Sequence, residues 1–251
     1  MGVYYETTFR VGAGETGIYY QCRPSGVLSL LQEAATQAAC EIQVSGPEIM
    51  ERYSAIWMVA RMWYRLERPL MWDDKVTIRT WHRANKGPAL YRDFDLLVDG
   101  RPVGEAVSTW VLADVESRRL LRMSGLMEIE STGGGELCKD MTLSKIRMPE
   151  DMELIERRRF HYSDTDANGH VNNVRYADII GDAARLETHL ADHFVSELQV
   201  GYLKECQAGE RLDVYAGWQE NNCWVRGADE AGQSRFDGLL TLSPLAKVNK
   251  P

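Results

Sequence analysis

Residues 27–42, VLSLLQEAATQAACEI, decide how the chain is read. Their apolar positions Val27, Leu30, Leu31, Ala34, Ala35, Ala38 and Ile42 recur at three- and four-residue steps and so line one side of an α-helix. The Pro24-Ser25-Gly26 breaker stands where that helix would begin. A helix with one apolar stripe needs a second apolar surface to cover it. The residues that follow supply one: 56–66, 76–81, 90–98 and 103–113 read as strands, with Asp99-Gly100 as the turn between the last two. One helix followed by antiparallel strands makes this half α+β.

Residues 131–152 break the pattern with Gly133-Gly134-Gly135, mixed charges and Pro149, and read as a linker. Beyond it the same order returns: a strand at 155–162, a helix near 172–190, then strands at 194–203, 212–218, 223–228 and 234–242. Tyr64-Arg65-Leu66-Glu67 and Val76 recur at the same internal spacing as Tyr202-Leu203-Lys204-Glu205 and Val214. The expectation is a duplicated chain, with one domain over 1–130, the linker, and a second domain over 153–251. In each half an antiparallel sheet wraps a long helix.

With 251 residues, 44% of them hydrophobic, the chain is long enough for two small cores. It contains no apolar run of membrane-spanning length. A formal net charge of −8 disfavours general nucleic-acid binding, which depends on a basic surface. The N-terminal residues show neither signal-peptide nor transit-peptide character, so a cytoplasmic location is expected. Five scattered cysteines without a CxxC pair argue against a disulfide framework and a zinc ribbon. Gly12-x-Gly14-x-x-Gly17 fits a dinucleotide pattern only in letters, because strand-like segments flank it and no helix follows. There is no GxSxG elbow and no Walker loop. His161, His189 and His193 read as surface or cap residues.

Chemistry concentrates in residues 163–176, SDTDANGHVNNVRY, where a strand passes into the second helix. Two carboxylates, a histidine and three asparagines meet there. The first N–H groups of that helix offer partial positive charge to a developing oxyanion. Helix capping explains one or two of these residues, and Asp164 reads as a cap or turn residue. A calcium loop fails because Arg175 stands where a bidentate Glu is required. No metal and no cofactor are expected.

The run DTDANGHVNNVRY resembles the DxDxNxHVNNxxY signature of plant and bacterial acyl-acyl-carrier-protein (acyl-ACP) thioesterases. Tyr202-Leu203-Lys204-Glu205-Cys206-Gln207 resembles their second signature, a strand ending in Glu-Cys-Gln. The resemblance implies a tandem hotdog fold, hydrolysis of fatty acyl-ACP to free fatty acid, and a catalytic set of Asp166, Asn168, His170 and Glu205. Cys206 matches a cysteine proposed as nucleophile in that family. Neighbouring strand residues point to opposite faces, which favours Glu205 over Cys206 for the site. In this reading Glu205 serves as general base or nucleophile, His170 and Asn168 orient water or thioester, and Asp166 fixes His170.

The loop before the first helix, residues 21–26, carries no His and no carboxylate, although Glu67 stands at the position matching Glu205. One site per chain is therefore expected, and the resemblance implies that the first half shapes the acyl pocket. Trp57, Met58, Met62 and Trp63 are wall or core candidates there. The partner implied is an acidic acyl carrier protein, for which Arg79, Arg83, Lys86, Arg157, Arg158 and Arg159 are candidate contacts; a homodimer is also open. An acyl-coenzyme A thioesterase and a non-catalytic acyl-thioester-binding hotdog protein are the alternatives.

Overall fold

The computed structural model describes residues 4–83, 88–121 and 142–246. The chain forms two compact units. Unit one comprises residues 1–10, 28–64 and 75–144, and unit two comprises 11–27, 65–74 and 145–251. The division is not consecutive: residues 11–27 and 65–74 pack with the second half. Part of the expected linker, 131–141, lies outside the described residues. Its remainder, 142–152, has no regular structure, yet it is not a solvated tether, because Leu143 is buried with Trp63, Tyr91 and Val107.

In unit one, β1 (Tyr5–Arg10), β3 (Lys75–His82), β4 (Ala89–Val98), β5 (Arg101–Asp114) and β2 (Ala55–Leu66) lie side by side in that order, with the short β6 (Leu120–Leu121) paired to β5. Strand alternation sends Ile78, Phe94, Leu96 and Ala106 to one face, where all four are buried. Helix α1 (Pro24–Glu41) buries Val27, Leu30, Leu31, Ala34, Ala35 and Ala38 of the expected stripe together with Leu28, whereas Ile42 lies past its end and is exposed. Each large apolar side chain so enclosed contributes roughly 1.5–3 kcal/mol. Met62 and Trp63 are core residues, while the partly buried Trp57 donates its indole N–H to Val44 O at 2.8 Å.

A second helix, α2 (Gly46–Tyr53), falls outside the expected elements. Its signal was present in Ser45-Gly46-Pro47-Glu48, a capping-box spacing with proline in the first turn. The Ser45 hydroxyl does donate to the Glu48 carboxylate.

In unit two the strand order is β8 (His193–Tyr202), β11 (Ser234–Pro244), β10 (Asn222–Ala228), β9 (Arg211–Gln219) and β7 (Glu153–Arg159), and the β11, β10, β9 and β7 ladders are all antiparallel. Helix α3 spans only Arg175–Ala183, shorter than the expected 172–190. Arg185 takes a left-handed φ of 52° and ends it, and a 3-10 turn, Leu186–Thr188, follows. The glycine-rich segment 12–17 leads into a 3-10 turn at Ile18–Tyr20 where a strand was expected. No helix among the described residues is long and apolar enough to cross a membrane.

Helix α3 is fixed by aromatic packing and by a close approach. The Tyr176 ring sits 5.1 Å from Phe236, 5.7 Å from Tyr202 and 6.2 Å from Phe160, centroid to centroid. At Gly238 on β11 a Cβ would fall 2.4 Å from Ile180 Cδ1 and 2.8 Å from its Cγ1. The missing side chain is what lets the helix settle on the sheet. Gly238→Ala is therefore expected to destabilise the protein by about 1–3 kcal/mol, read by urea unfolding.

On the other face of the unit-one sheet, Asp95 stands opposite both Arg79 and Glu105 in the strand register. Its Oδ1 is buried and has no hydrogen-bond partner among the described residues. Burial, opposed by Arg79 and reinforced by Glu105 and Asp93, pushes its carboxyl up to about 6 from 3.8. The folded state therefore holds this proton more tightly than the unfolded chain does, and stability falls as pH rises from about 4 to about 6. Asp95→Asn should raise the melting temperature at pH 8, with the gain shrinking through that window and vanishing below it.

Candidate active site

The site is built where β7 gives way to α3. After β7 a 3-10 turn, Tyr162–Asp164, reverses the chain, and the Asp164 carboxylate accepts the His161 N–H at 2.8 Å. Asp164 is thus a capping residue. Residues 165–171 then form a small hairpin-like loop: Asp166 N–H donates to His170 O at 2.9 Å, and Asn172 N–H to Asp164 O at 2.8 Å. Its tip is the turn Asp166-Ala167-Asn168-Gly169, closed by Gly169 N–H to Asp166 O at 3.0 Å. The Asp166 carboxylate braces that turn by accepting Asn168 N–H at 2.8 Å. Gly169 adopts φ +76°, with open space where a Cβ would stand, so conformation and not crowding calls for glycine.

This loop is tied to the segment that follows β8 (His193–Tyr202). Val171 N–H donates to Cys206 O at 2.8 Å, and His170 bridges Gln207 in antiparallel register. The two backbones so joined bring His170 Nε2 to 3.4 Å from Glu205 Oε2. Both side chains are partly covered, at 16% and 33% exposure, which leaves the pair open enough for substrate and dry enough to strengthen its electrostatics. Asn168 is exposed at the loop tip. Of the four residues named from sequence, His170 and Glu205 therefore meet directly. Asp166 supports His170 through the loop backbone, its carboxylate engaging the Asn168 N–H and not the ring.

Four of the N–H groups around the helix entrance are already engaged. The N–H groups of Val171, Asn172, Val174 and Arg175 are already bonded to Cys206 O, Asp164 O, Asn172 Oδ1 and Asn172 O. The shorter helix is the reason: α3 begins at Arg175, and Val171, Asn172 and Val174, which precede it, spend their N–H groups within the loop and its anchor.

Cys206 is 1% exposed. Burial pushes its thiol up, only partly offset by a hydrogen bond from Tyr176 and by the charge of Arg235. A thiol held in its protonated form and closed off from solvent is a poor nucleophile.

The corresponding loop of the first half keeps the scaffold without the chemistry. Cys22 N–H donates to Leu70 O at 2.8 Å, and Gln21 bridges Met71, the same backbone device that joins the His170 loop to residues 206–207. The Gln21 amide is taken up by Leu190 O and His193 O, at 3.0 and 3.1 Å. Glu67 is exposed.

Most of the candidate docking cations already hold carboxylates. Arg79 pairs with Glu6 at 2.6 Å, Arg83 with Asp93 at 2.5 Å, Arg157 with Asp213 at 3.3 Å, and Arg158 with Asp182 at 3.0 Å. Arg159 is exposed on the edge strand β7, and Lys86 lies outside the described residues.

Residues 2–128 match the family model described as "Acyl-ACP thioesterase N-terminal domain", and residues 148–234 match the one described as "Acyl-ACP thioesterase C-terminal domain". The chain is 27% identical over 235 residues to an oleoyl-acyl carrier protein thioesterase of Arabidopsis thaliana, covering 84% of this chain and 62% of that protein. It is 27% identical over 263 residues to a palmitoyl-acyl carrier protein thioesterase of Gossypium hirsutum, covering 98% of this chain and 62% of the relative. It thus spans less than two thirds of the length of these relatives. In fold it is similar to an acyl-ACP thioesterase from Bacteroides thetaiotaomicron, with a TM-score of 0.84 at 19% identity over 95% of this chain and 97% of that one. The 12:0-ACP thioesterase from Umbellularia californica gives 0.81 at 19% identity, over 97% and 98%. The α+β tandem hotdog expected from sequence is the fold observed.

The turn geometry carries its own test. Gly169→Ala places a side chain in the left-handed region and should cost about 1–2 kcal/mol of stability. Because the strain falls inside the loop that sets His170, any reaction that uses the His170–Glu205 pair should drop more than that loss of stability explains, as read by comparing kcat with the fraction folded.

Proposed function

We propose, since the chain belongs to the acyl-ACP thioesterase family, that it hydrolyses the thioester of a fatty acyl-ACP, releasing the free fatty acid and the carrier thiol. The observation that carries this reading is the 3.4 Å approach of His170 Nε2 to Glu205 Oε2. It joins the two sequence signatures into one acid–base pair.

In the proposed reaction a water oxygen attacks the thioester carbonyl carbon while Glu205 takes the water proton. The C–S bond then breaks, and the departing sulfur recovers a proton from the His170–Glu205 pair. His170 holds the Glu205 carboxylate in place, and Asn168 at the loop tip faces the incoming thioester. Asp166 keeps the turn in shape. The relatives are named for oleoyl-, palmitoyl- and dodecanoyl-ACP substrates, which supports a fatty acyl chain on a carrier protein for this chain. We place carrier docking on the exposed side of β7, where Arg157 and Arg159 alternate outward and one 3-10 turn separates the strand from the His170 loop. The Arg157–Asp213 pair does not oppose this, since exposed ion pairs are weak and readily exchanged for a partner's carboxylate.

The test is a thioester-cleavage assay on acyl-ACPs from short to long chain, beside the matching acyl-coenzyme A esters. Hydrolysis of carrier-bound substrate is expected to dominate, and its KM should rise with salt. Glu205→Ala should lose roughly 100- to 10,000-fold in kcat, while Cys206→Ala keeps most of it. Near wild-type turnover in Glu205→Ala, or equal use of coenzyme A esters without salt dependence, would falsify the assignment.

A further inference from the structure

Glu205 does not lie within the regular part of β8, which ends at Tyr202. Something other than the sheet ladder must therefore fix its backbone, and Arg235 at the start of β11 does so on two levels. Its carbonyl accepts the N–H groups of both Leu203 and Lys204, at 2.9 and 3.1 Å. Its guanidinium Nη1 donates to the carbonyl of Glu205 itself at 2.6 Å.

The guanidinium is in turn held from behind. Its Nε donates to Asp229 Oδ2 at 3.0 Å, and Nη2 lies 3.9 Å from Glu210 Oε1. Asp229 is locked in the β10–β11 turn, where its Oδ1 accepts the N–H groups of Ala231 and Gln233 at 3.0 and 2.8 Å. Those bonds and Arg235 keep its carboxyl below the usual range, so it stays charged. Glu210 Oε2 accepts Gln207 N–H at 3.1 Å, just past the Glu-Cys-Gln segment. The Arg235 side chain is only 11% exposed, so these contacts are largely shielded from solvent.

We propose that Arg235 is a positioning residue for the reaction: with Asp229 it clamps the backbone at Glu205 so that the carboxylate is presented to His170. Arginine suits this task because a planar fork reaches a carbonyl on one arm and a carboxylate on another, which the single ammonium of lysine cannot do. No local spacing in the sequence ties residue 235 to residue 205; the fold alone brings them together. The proposal rests on Glu205 being the catalytic carboxylate.

Arg235→Lys keeps the charge and the backbone carbonyl but loses the fork. It is expected to lower kcat roughly 10- to 100-fold, the scale of an ångström-level misplacement, with KM nearly unchanged. Arg226→Lys is the control, because Arg226 makes a comparable bond to the buried Asp237 at 3.0 Å on the same hairpin, with its guanidinium on that carboxylate and not on the Glu205 carbonyl. It should leave kcat as it is, even where its melting temperature falls as far. Asp229→Asn, which weakens the anchor behind the guanidinium, should move kcat in the same direction by a smaller factor, and it decides the matter if Arg235→Lys does not fold. Wild-type kcat in Arg235→Lys beside an inactive Glu205→Ala overturns the clamp and leaves the site reading intact. An equal kcat loss in Arg226→Lys also overturns it, since the effect would then be one of general stability. An active Glu205→Ala overturns the site reading and the clamp together.

Discussion

The hydrogen bond from Val171 N–H to Cys206 O, 2.8 Å long, is the interaction on which the site depends. It connects the residue after His170 to the residue after Glu205, so the two side chains meet because their backbones are already in register. A 3.4 Å contact between two partly exposed side chains would be too weak to hold a loop by itself. The order of causation therefore runs from backbone to side chain. The Asp166–Gly169 turn shapes the loop, the bridge to residues 206–207 sets its height, and the His170–Glu205 contact follows.

The same bridge in the first half shows what the duplication kept. Cys22 N–H reaches Leu70 O over an identical 2.8 Å. Gln21 then closes on the carbonyls of Leu190 and His193, and a group that would have been free for chemistry becomes structural. Asymmetry between the halves lies in side chains hung on a shared backbone device.

Much of this was legible in the residues. Helix α1 was readable because its stripe of Val27, Leu30, Leu31, Ala34, Ala35 and Ala38 has helical period and nothing else competes for it. The strands were readable to within a few residues for the same reason at period two. Helix α2 escaped notice because only eight residues follow its cap, too few to establish a period. The end of α3 was misread because Arg185 adopts a left-handed conformation that its side chain does not advertise. At the site, the residue types and the loop were visible, but the donors of the helix entrance were not: whether an N–H is free depends on where α3 begins. Asp166 bracing the turn, and Arg235 reaching Glu205 from another strand, are tertiary facts that no spacing encodes.

The burial of Cys206 bears on the redox life of the protein. A sulfur one residue from Glu205, yet shielded from solvent, with its thiol pushed up by burial, offers peroxides and alkylating agents almost no thiolate to attack. The proposed mechanism, based on a carboxylate and an imidazole, asks nothing of this thiol.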